Sequence, residues 1–125
     1  MFKYTSTDKA PAAIGPYSQA IFANGTLYAS GQIPIDPATG NIEGKTIAQQ
    51  AEQSCKNVGE ILKASGLSFD DVVKTTCFLA DIKDFAEFNA VYAKYFTSKP
   101  ARSCVAVKDI PKGALCEIEI IAVGK

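Results

Sequence analysis

The sequence predicts an α+β fold, in which two helices pack on one face of a mixed β-sheet. Its 125 residues suit a single domain, since domains usually contain about 100–150 residues. Apolar residues alternate with polar ones in several segments and recur every three to four residues in two others, as in strands and helices respectively. These segments follow the order hairpin, helix, strand, helix, strand, strand. Both helices can therefore cover the same face of one sheet.

The N-terminal region predicts a loop followed by a β-hairpin. The first sixteen residues are rich in Pro, Ala, Ser and Thr and are expected to be mostly loop. Residues 17–23 and 26–31 are apolar runs on either side of Asn24-Gly25, a pair that favours the type I′ turn of hairpins. A long loop is expected over about residues 32–45, which contain the turn-forming residues Pro34, Pro37, Gly40 and Asn41.

The first helix is predicted to begin after Thr46. Thr46 and Gln49 have the spacing of a capping box, in which each side chain satisfies a backbone N–H of the other residue. Gly66 is expected to end the helix in the left-handed conformation. The apolar stripe of this helix consists of Ile47, Ala51, Cys55, Val58 and Leu62.

A strand over residues 72–80 and a second helix follow. The strand is indicated by the alternating positions Val73, Thr75, Cys77 and Leu79. Asp84 and Glu87 resemble a helix start, and Pro100 ends the region. The buried stripe of the second helix is expected to contain Phe85, Phe88, Tyr92 and Phe96.

Two strands, residues 102–107 and 115–123, close the chain on either side of a turn at Pro111-Lys112-Gly113. Because side chains alternate across a strand, each strand presents two sets of residues. The mainly apolar sets are assigned beneath the helices: Ser103, Val105 and Val107, with Ile118, Ile120 and Ala122. This assignment places four polar or ionisable side chains together on the opposite face: Arg102, Cys104, Glu117 and Glu119.

The face opposite the helices also carries Phe78 and Ile121, so it is expected to be buried against other copies of the chain. Its charged residues then have two interpretations. One is a cross-strand ion pair between Arg102 and a glutamate, which stabilises the sheet or an interface. The other is a functional site at the interface, where pairing and pKa values can be tuned.

Composition excludes several classes of function. The chain has 13 Lys and Arg and 13 Asp and Glu, a balance that argues against nucleic-acid and membrane partners. It has no histidine, which excludes Ser-His-Asp and Cys-His catalysis and every histidine metal site. The four cysteines form no C-x-x-C pair, and neither a signal peptide nor a membrane span is visible. A cytoplasmic protein with reduced thiols is therefore expected.

Four motifs occur in order: AIGPYSQA at 13–20, SGQIP at 30–34 before Asp36-Pro37, PARSCV at 100–105, and PKGA at 111–114 leading to EIE at 117–119. Over residues 11 to 123 the chain resembles the RidA family, the enamine/imine deaminases also called YjgF proteins. The resemblance implies a chorismate-mutase-like fold assembled as a homotrimer, with active sites in clefts between subunits. It also implies hydrolysis of 2-iminobutanoate and 2-iminopropanoate, the imines formed by pyridoxal-phosphate dehydratases, to 2-oxoacids and ammonia. No metal and no organic cofactor are implied.

The resemblance also implies roles for the candidate catalytic residues Arg102, Glu117 and Cys104. Arg102 is expected to bind the substrate carboxylate, because its planar guanidinium can do so bidentately. Glu117 is the candidate to position and activate water. Cys104 is expected to line the pocket, since no histidine is present to activate it as a nucleophile. Glu119 shares the face of Glu117 and is expected to form an interface pair.

In addition to Arg102, the expected substrate-binding residues are Tyr17, Ser30 and Gly31. Tyr17 can stack on the substrate or donate its hydroxyl. At Ser30-Gly31 a main-chain group can reach the substrate, because glycine permits close approach. Asn89 and Tyr92 are expected to be structural.

The sequence leaves three alternatives to a deaminase. The same Arg102 could serve a regulatory trimer that binds 2-oxoacids without turnover, in which Glu117 would be dispensable. A ribonuclease that inhibits translation is disfavoured by the balanced charge and by the lack of histidine. A holdase chaperone is neither favoured nor disfavoured.

Overall fold

The structure is a computed structural model that describes residues 2–124. It confirms the predicted α+β fold and the order of its elements. The strands are β1 (Lys3–Thr5), β2 (Ala20–Ala23), β3 (Thr26–Ala29), β4 (Val72–Leu79), β5 (Ala101–Ala106) and β6 (Cys116–Val123). The helices are α1 (Ile47–Ala64) and α2 (Phe85–Tyr95). Within the described part of the chain, no helix is long and apolar enough to cross a membrane.

The six strands form one mixed sheet in the order β1-β2-β3-β6-β4-β5. Among the strands of residues 2–124, only β4 and β5 pair in parallel, and α2 forms the crossover between them. Both helices pack on one face, where their buried side chains meet those of the central strands in a single core. β1 was not predicted, because the composition of its surroundings indicated a loop. Its three residues are extended through pairing with β2, a tertiary contact.

The local signals of the hairpin and of α1 are confirmed. Asn24 and Gly25 have φ values of 51° and 80°, the left-handed geometry that a type I′ turn requires at both positions. Thr46 and Gln49 form the predicted capping box at the start of α1. Gly66 follows the helix with φ at 77°.

Two positions depart from the sequence patterns. Val73 alternates in sequence with Thr75, Cys77 and Leu79 but is exposed, because a β-bulge lies between Val72 and Lys74 and Val72 is buried instead. Phe85 was assigned to the buried stripe of α2 but is exposed at the first residue of that helix. The rest of that stripe, Phe88, Tyr92 and Phe96, is buried as predicted.

The placement of Arg102 and Cys104 on the face opposite the helices was wrong. Residues that pair directly across neighbouring strands point to the same face. Cys104 pairs with the buried Cys77, and Arg102 pairs with the buried Thr75, so both lie on the helix face. The apolar set that includes Val105 lies instead on the open face, where Val105 is exposed.

The assignment of the two glutamates to the open face is confirmed. Glu117 and Glu119 alternate along β6 with the buried residues Cys116, Ile118 and Ile120. Cys116 precedes Glu117 on the helix face, where its side chain is fully buried.

Candidate active site

A cavity of about 490 Å³ lies beside Glu117 and is called here the Glu117 cavity. Four parts of the chain form it: the N-terminal segment, the turn after β3, the turn before β6, and β6 itself. The predicted site residues that line it are Tyr17, Ser30, Gly31 and Glu117, and Glu119 lines it as well. Its apolar walls include Pro11, Ala12, Ile14, Ile33, Ile35 and Pro111.

A one-residue irregularity after β3 brings Gly31 against Glu117. Tyr28 pairs with Ile121, and an unbroken register would bring Gln32 opposite Glu117. Gln32 instead exchanges backbone hydrogen bonds with Ile118, so one extra residue is accommodated between them. A Cβ atom at residue 31 would overlap the Glu117 carboxylate and lie 2.9 Å from its Cδ. Glycine is therefore required here for close approach to the carboxylate.

The environment of Glu117 favours its protonated form. Burial raises the pKa of the carboxyl group above its usual range, and the negative charge of Glu119 raises it further. A partly desolvated carboxylate of this kind is suited to accept a proton from water near neutral pH. The expected interface pairing of Glu119 stays a prediction.

Ser30 is held by the two residues that precede β2. Its Oγ donates to the Ser18 carbonyl oxygen at 2.6 Å, and its N–H donates to the Gln19 carbonyl oxygen at 2.9 Å. The donors of Ser30 are therefore used within the chain, while its neighbour Gly31 lies next to the carboxylate of Glu117. Tyr17 is exposed at the cavity and its ring is free to cover a bound molecule.

Arg102 belongs to a separate group of residues, the Arg102 cluster, with Cys104, Asn89 and Tyr92. Its Nη1 donates to Asn89 Oδ1 at 2.8 Å, and its Cζ lies 4.7 Å from the centre of the Tyr92 ring. The Tyr92 hydroxyl is in turn hydrogen-bonded to Thr75 Oγ1 at 2.8 Å. The guanidinium is thus oriented by a side-chain amide and an aromatic face, both on α2.

Cys104 lies two residues after Arg102 on the same face. Burial raises the pKa of its thiol, and the positive charge of Arg102 only partly opposes this effect. The thiol is therefore protonated at neutral pH, which favours a pocket-lining role over nucleophilic attack. The pKa of the neighbouring Cys77 is raised to about 12, again mainly by burial.

The structure thus brings four of the predicted site residues together and separates two. Tyr17, Ser30, Gly31 and Glu117 surround the Glu117 cavity. Arg102 and Cys104 lie on the other face of the sheet, and β5 is separated from β6 by β4, a spacing of roughly 10 Å. An ion pair between Arg102 and Glu117 across the sheet of one chain is therefore wrong, whereas such a pair across an interface stays a prediction.

Sequence reasoning missed the role of Asn89, which was interpreted as structural but orients the Arg102 guanidinium. A signal for it exists, because Phe85, Asn89 and Tyr92 have the i, i+4, i+7 spacing of one helix face. An amide within an otherwise aromatic stripe needs a hydrogen-bond partner. The missing information was that Arg102 lies beneath this helix.

Comparisons with known proteins cover nearly the whole chain. The model of the family described as Endoribonuclease L-PSP matches residues 7–124. A Bos taurus protein named 2-iminobutanoate/2-iminopropanoate deaminase is 53% identical over 97% of this chain and 89% of its own. A Lactococcus lactis protein named as the regulator AldR is 54% identical over 96% of each chain. The crystal structure of E. coli TdcF with bound serine has a TM-score of 0.94 and 43% identity, covering 98% of this chain and 99% of that one.

Proposed function

The chain belongs to the Endoribonuclease L-PSP family, the RidA or YjgF proteins, and we infer from this membership that it is a 2-iminobutanoate/2-iminopropanoate deaminase. Such an enzyme adds water to a 2-iminoacid and releases a 2-oxoacid and ammonia. The observation that supports this activity most directly is the Glu117 carboxylate, which has a raised pKa and lies against the backbone at Gly31.

Glu117 acts as the general base in this proposal. A water molecule between Glu117 and the substrate attacks C2 of the protonated imine while the carboxylate accepts one of its protons. The product is a carbinolamine that carries a hydroxyl and an amino group on C2. Glu117 returns the proton to the amino nitrogen, and the C–N bond breaks as Glu117 accepts the hydroxyl proton and ammonia leaves. Glu117 then passes this proton to the departing ammonia, which is released as ammonium. Glu117 ends the cycle as a carboxylate.

Arg102 binds the substrate carboxylate in this proposal, and it comes from a neighbouring subunit. Within one chain, Arg102 and Glu117 lie on opposite faces of the sheet, so they cannot contact the same small molecule. A second copy can bring its own Arg102 cluster to the Glu117 cavity. The exposed apolar residues of the open face, Val73, Tyr28 and Val105, are consistent with such packing. The proposed assembly is a homotrimer with three shared sites.

Mixed assemblies of two inactive variants test this arrangement. Arg102→Ala and Glu117→Gln are each expected to lose turnover of 2-iminobutanoate. If they are co-expressed, about three quarters of randomly mixed trimers contain both variants, and each of these has one intact site of three. About a quarter of wild-type activity should therefore return.

The matched control is Arg102→Ala co-expressed with the double variant Arg102→Ala/Glu117→Gln, which cannot form an intact site. Recovery in the first mixture alone supports a site shared between subunits. No recovery, although mixed trimers are isolated through two different affinity tags, would place the reaction within one chain and contradict the proposal.

A regulator that binds 2-oxoacids without turnover is the second candidate, and the name of the 54% identical AldR favours it. The two functions differ in their need for Glu117. A sensor requires Arg102 to bind a carboxylate but not a general base, so Glu117→Gln would leave its function unchanged. Wild-type protein that binds 2-oxobutanoate and does not accelerate its release from 2-iminobutanoate would favour the sensor.

The family description names an endoribonuclease, but the residues of this chain fit that chemistry poorly. The sequence contains no histidine, the usual acid and base of ribonucleases, and its charge is balanced. A small-molecule imine is the substrate in this proposal. A cytoplasmic location is part of it too, supported by four cysteines that are all free.

A further inference from the structure

We propose that Gln19 is a positioning residue that holds one wall of the Glu117 cavity in place for substrate binding, an inference that rests on the proposed function. The wall is the segment of residues 7–12, which the structure shows without a regular helix or strand. Pro11 and Ala12 of this segment line the cavity. A segment without regular backbone pairing needs other partners for its N–H and C=O groups.

The Gln19 side chain supplies those partners. Its Oε1 accepts from the Thr7 N–H at 2.7 Å, and its Nε2 donates to the carbonyl oxygens of Pro11 at 2.9 Å and Thr7 at 3.0 Å. A longer contact of 3.5 Å joins Nε2 to the Ala10 carbonyl oxygen. The side chain is 6% exposed, so these groups have little access to water in its place.

The Gln19 main chain connects this wall to the rest of the site. Its carbonyl oxygen accepts from the Ser30 N–H at 2.9 Å, next to Gly31. One residue therefore holds the N-terminal wall through its side chain and the Ser30-Gly31 turn through its backbone. A substitution of the side chain releases only the wall and leaves the turn beside Glu117 in place.

An amide is chemically required at residue 19. Glutamine has one acceptor for the Thr7 N–H and two donor hydrogens for the carbonyl oxygens of Thr7 and Pro11. An ionised glutamate has no donor and would face these carbonyl oxygens with a negative charge. A protonated glutamic acid regains one donor, and burial raises the pKa of such a group.

The test compares Gln19→Ala, Gln19→Glu and the wild type by KM and kcat for 2-iminobutanoate. Gln19→Ala should raise KM about tenfold and change kcat less than twofold, because the wall contributes to binding and Glu117 is not moved. For Gln19→Glu, we expect the ratio of the variant KM to the wild-type KM, both measured at the same pH, to be large at pH 8. The ratio should fall towards unity near pH 5.5, where the glutamic acid is protonated. Glu117 titrates in both proteins, so its effect on KM cancels in this ratio.

Thr46→Ala is the matched control. The Thr46 hydroxyl accepts from the Gln49 N–H as the N-cap of α1, and Thr46 neither lines the Glu117 cavity nor contacts residues 7–12, so its loss destabilises the chain without releasing the wall. If Thr46→Ala raises KM as much as Gln19→Ala does, the effect is general destabilisation and the proposal fails. It also fails if the KM of Gln19→Ala stays within twofold of the wild-type KM, or if the Gln19→Glu ratio does not change with pH.

The Kd of 2-oxobutanoate, measured by calorimetry, provides the same comparison without turnover. If the wild type binds this 2-oxoacid but shows no deaminase activity, the proposed function fails while the Gln19 comparison can still be made. If the wild type is active and the Kd of each Gln19 variant is unchanged, the proposed function stands and the Gln19 proposal is overturned.

Discussion

The carboxylate of Glu117 occupies the space that a Cβ atom at Gly31 would need, so any residue larger than glycine there would displace this side chain. The contact depends on the extra residue accommodated between β3 and Gln32, which turns the backbone of residue 31 towards β6. The proposed base and the main chain that a substrate would approach are therefore positioned by the same irregularity of the sheet.

Gly31→Ala should strongly reduce activity with little loss of stability. The added methyl group would displace the end of the Glu117 side chain, which is flexible and can move away without disturbing the core. We expect kcat/KM to fall by about a hundredfold, a loss typical of a displaced general base. In a Glu117→Ala background the same substitution should have almost no further effect on the rate, because the two residues act together. An equal additional loss in that background would show that Gly31 acts independently of Glu117.

Glu119→Gln should move the acidic limb of the kcat/KM profile to lower pH. The base must be deprotonated, so activity falls as the pH drops through the pKa of Glu117. The negative charge of Glu119 raises that pKa, and its removal lowers it. Glu117→Gln should instead reduce the rate at every pH, by about a hundredfold or more. An acidic limb at the same pH in the wild type and in Glu119→Gln would assign the titration to another group.

Glu117→Gln should stabilise the folded protein at neutral pH. A raised pKa means that the folded state prefers the protonated carboxyl group. The stability from this preference is fully present below the unfolded pKa of about 4.5 and is lost as the pH rises through the folded value. Glutamine is neutral at every pH, so the variant should melt at a higher temperature than the wild type at pH 7.5 and at an equal one at pH 4. Thermal unfolding at a fixed protein concentration checks both points, and a gain of equal size at the two pH values would mean that ionisation is not its cause.

Substitutions of Asn89 should affect substrate binding more than the chemical step. Asn89→Ala removes the acceptor that orients Arg102 and should raise KM roughly tenfold with a smaller effect on kcat. Asn89→Asp should raise KM further, because a carboxylate would bind the guanidinium as an ion pair and compete with the substrate carboxylate. High salt should reduce the difference in KM between Asn89→Asp and Asn89→Ala, because it screens the attraction between the carboxylate and the guanidinium. A KM for Asn89→Asp equal to that of the wild type would show that Asn89 does not control Arg102.

Local patterns in the sequence determined most of the fold. The capping box at Thr46, the Asn24-Gly25 turn and the apolar stripe of α1 each depend on residues within a few positions of one another. The alternation along β6 also placed Glu117 on the face away from the helices, because its neighbours Cys116 and Ile118 are strongly apolar.

For β5, the sequence by itself determined only that Arg102 and Cys104 share a face, since alternation defines two faces of a strand but not which of them meets a helix. Pairing with β4 and the position of α2 decided that question, and they placed Arg102 beneath Asn89 rather than beside Glu117. The hydrogen bonds of Gln19 likewise join residues that are distant in sequence. The irregular register at Gly31 depends on pairing with a neighbouring strand, β6. Such contacts form only when the whole chain has folded, so local periodicity cannot predict them.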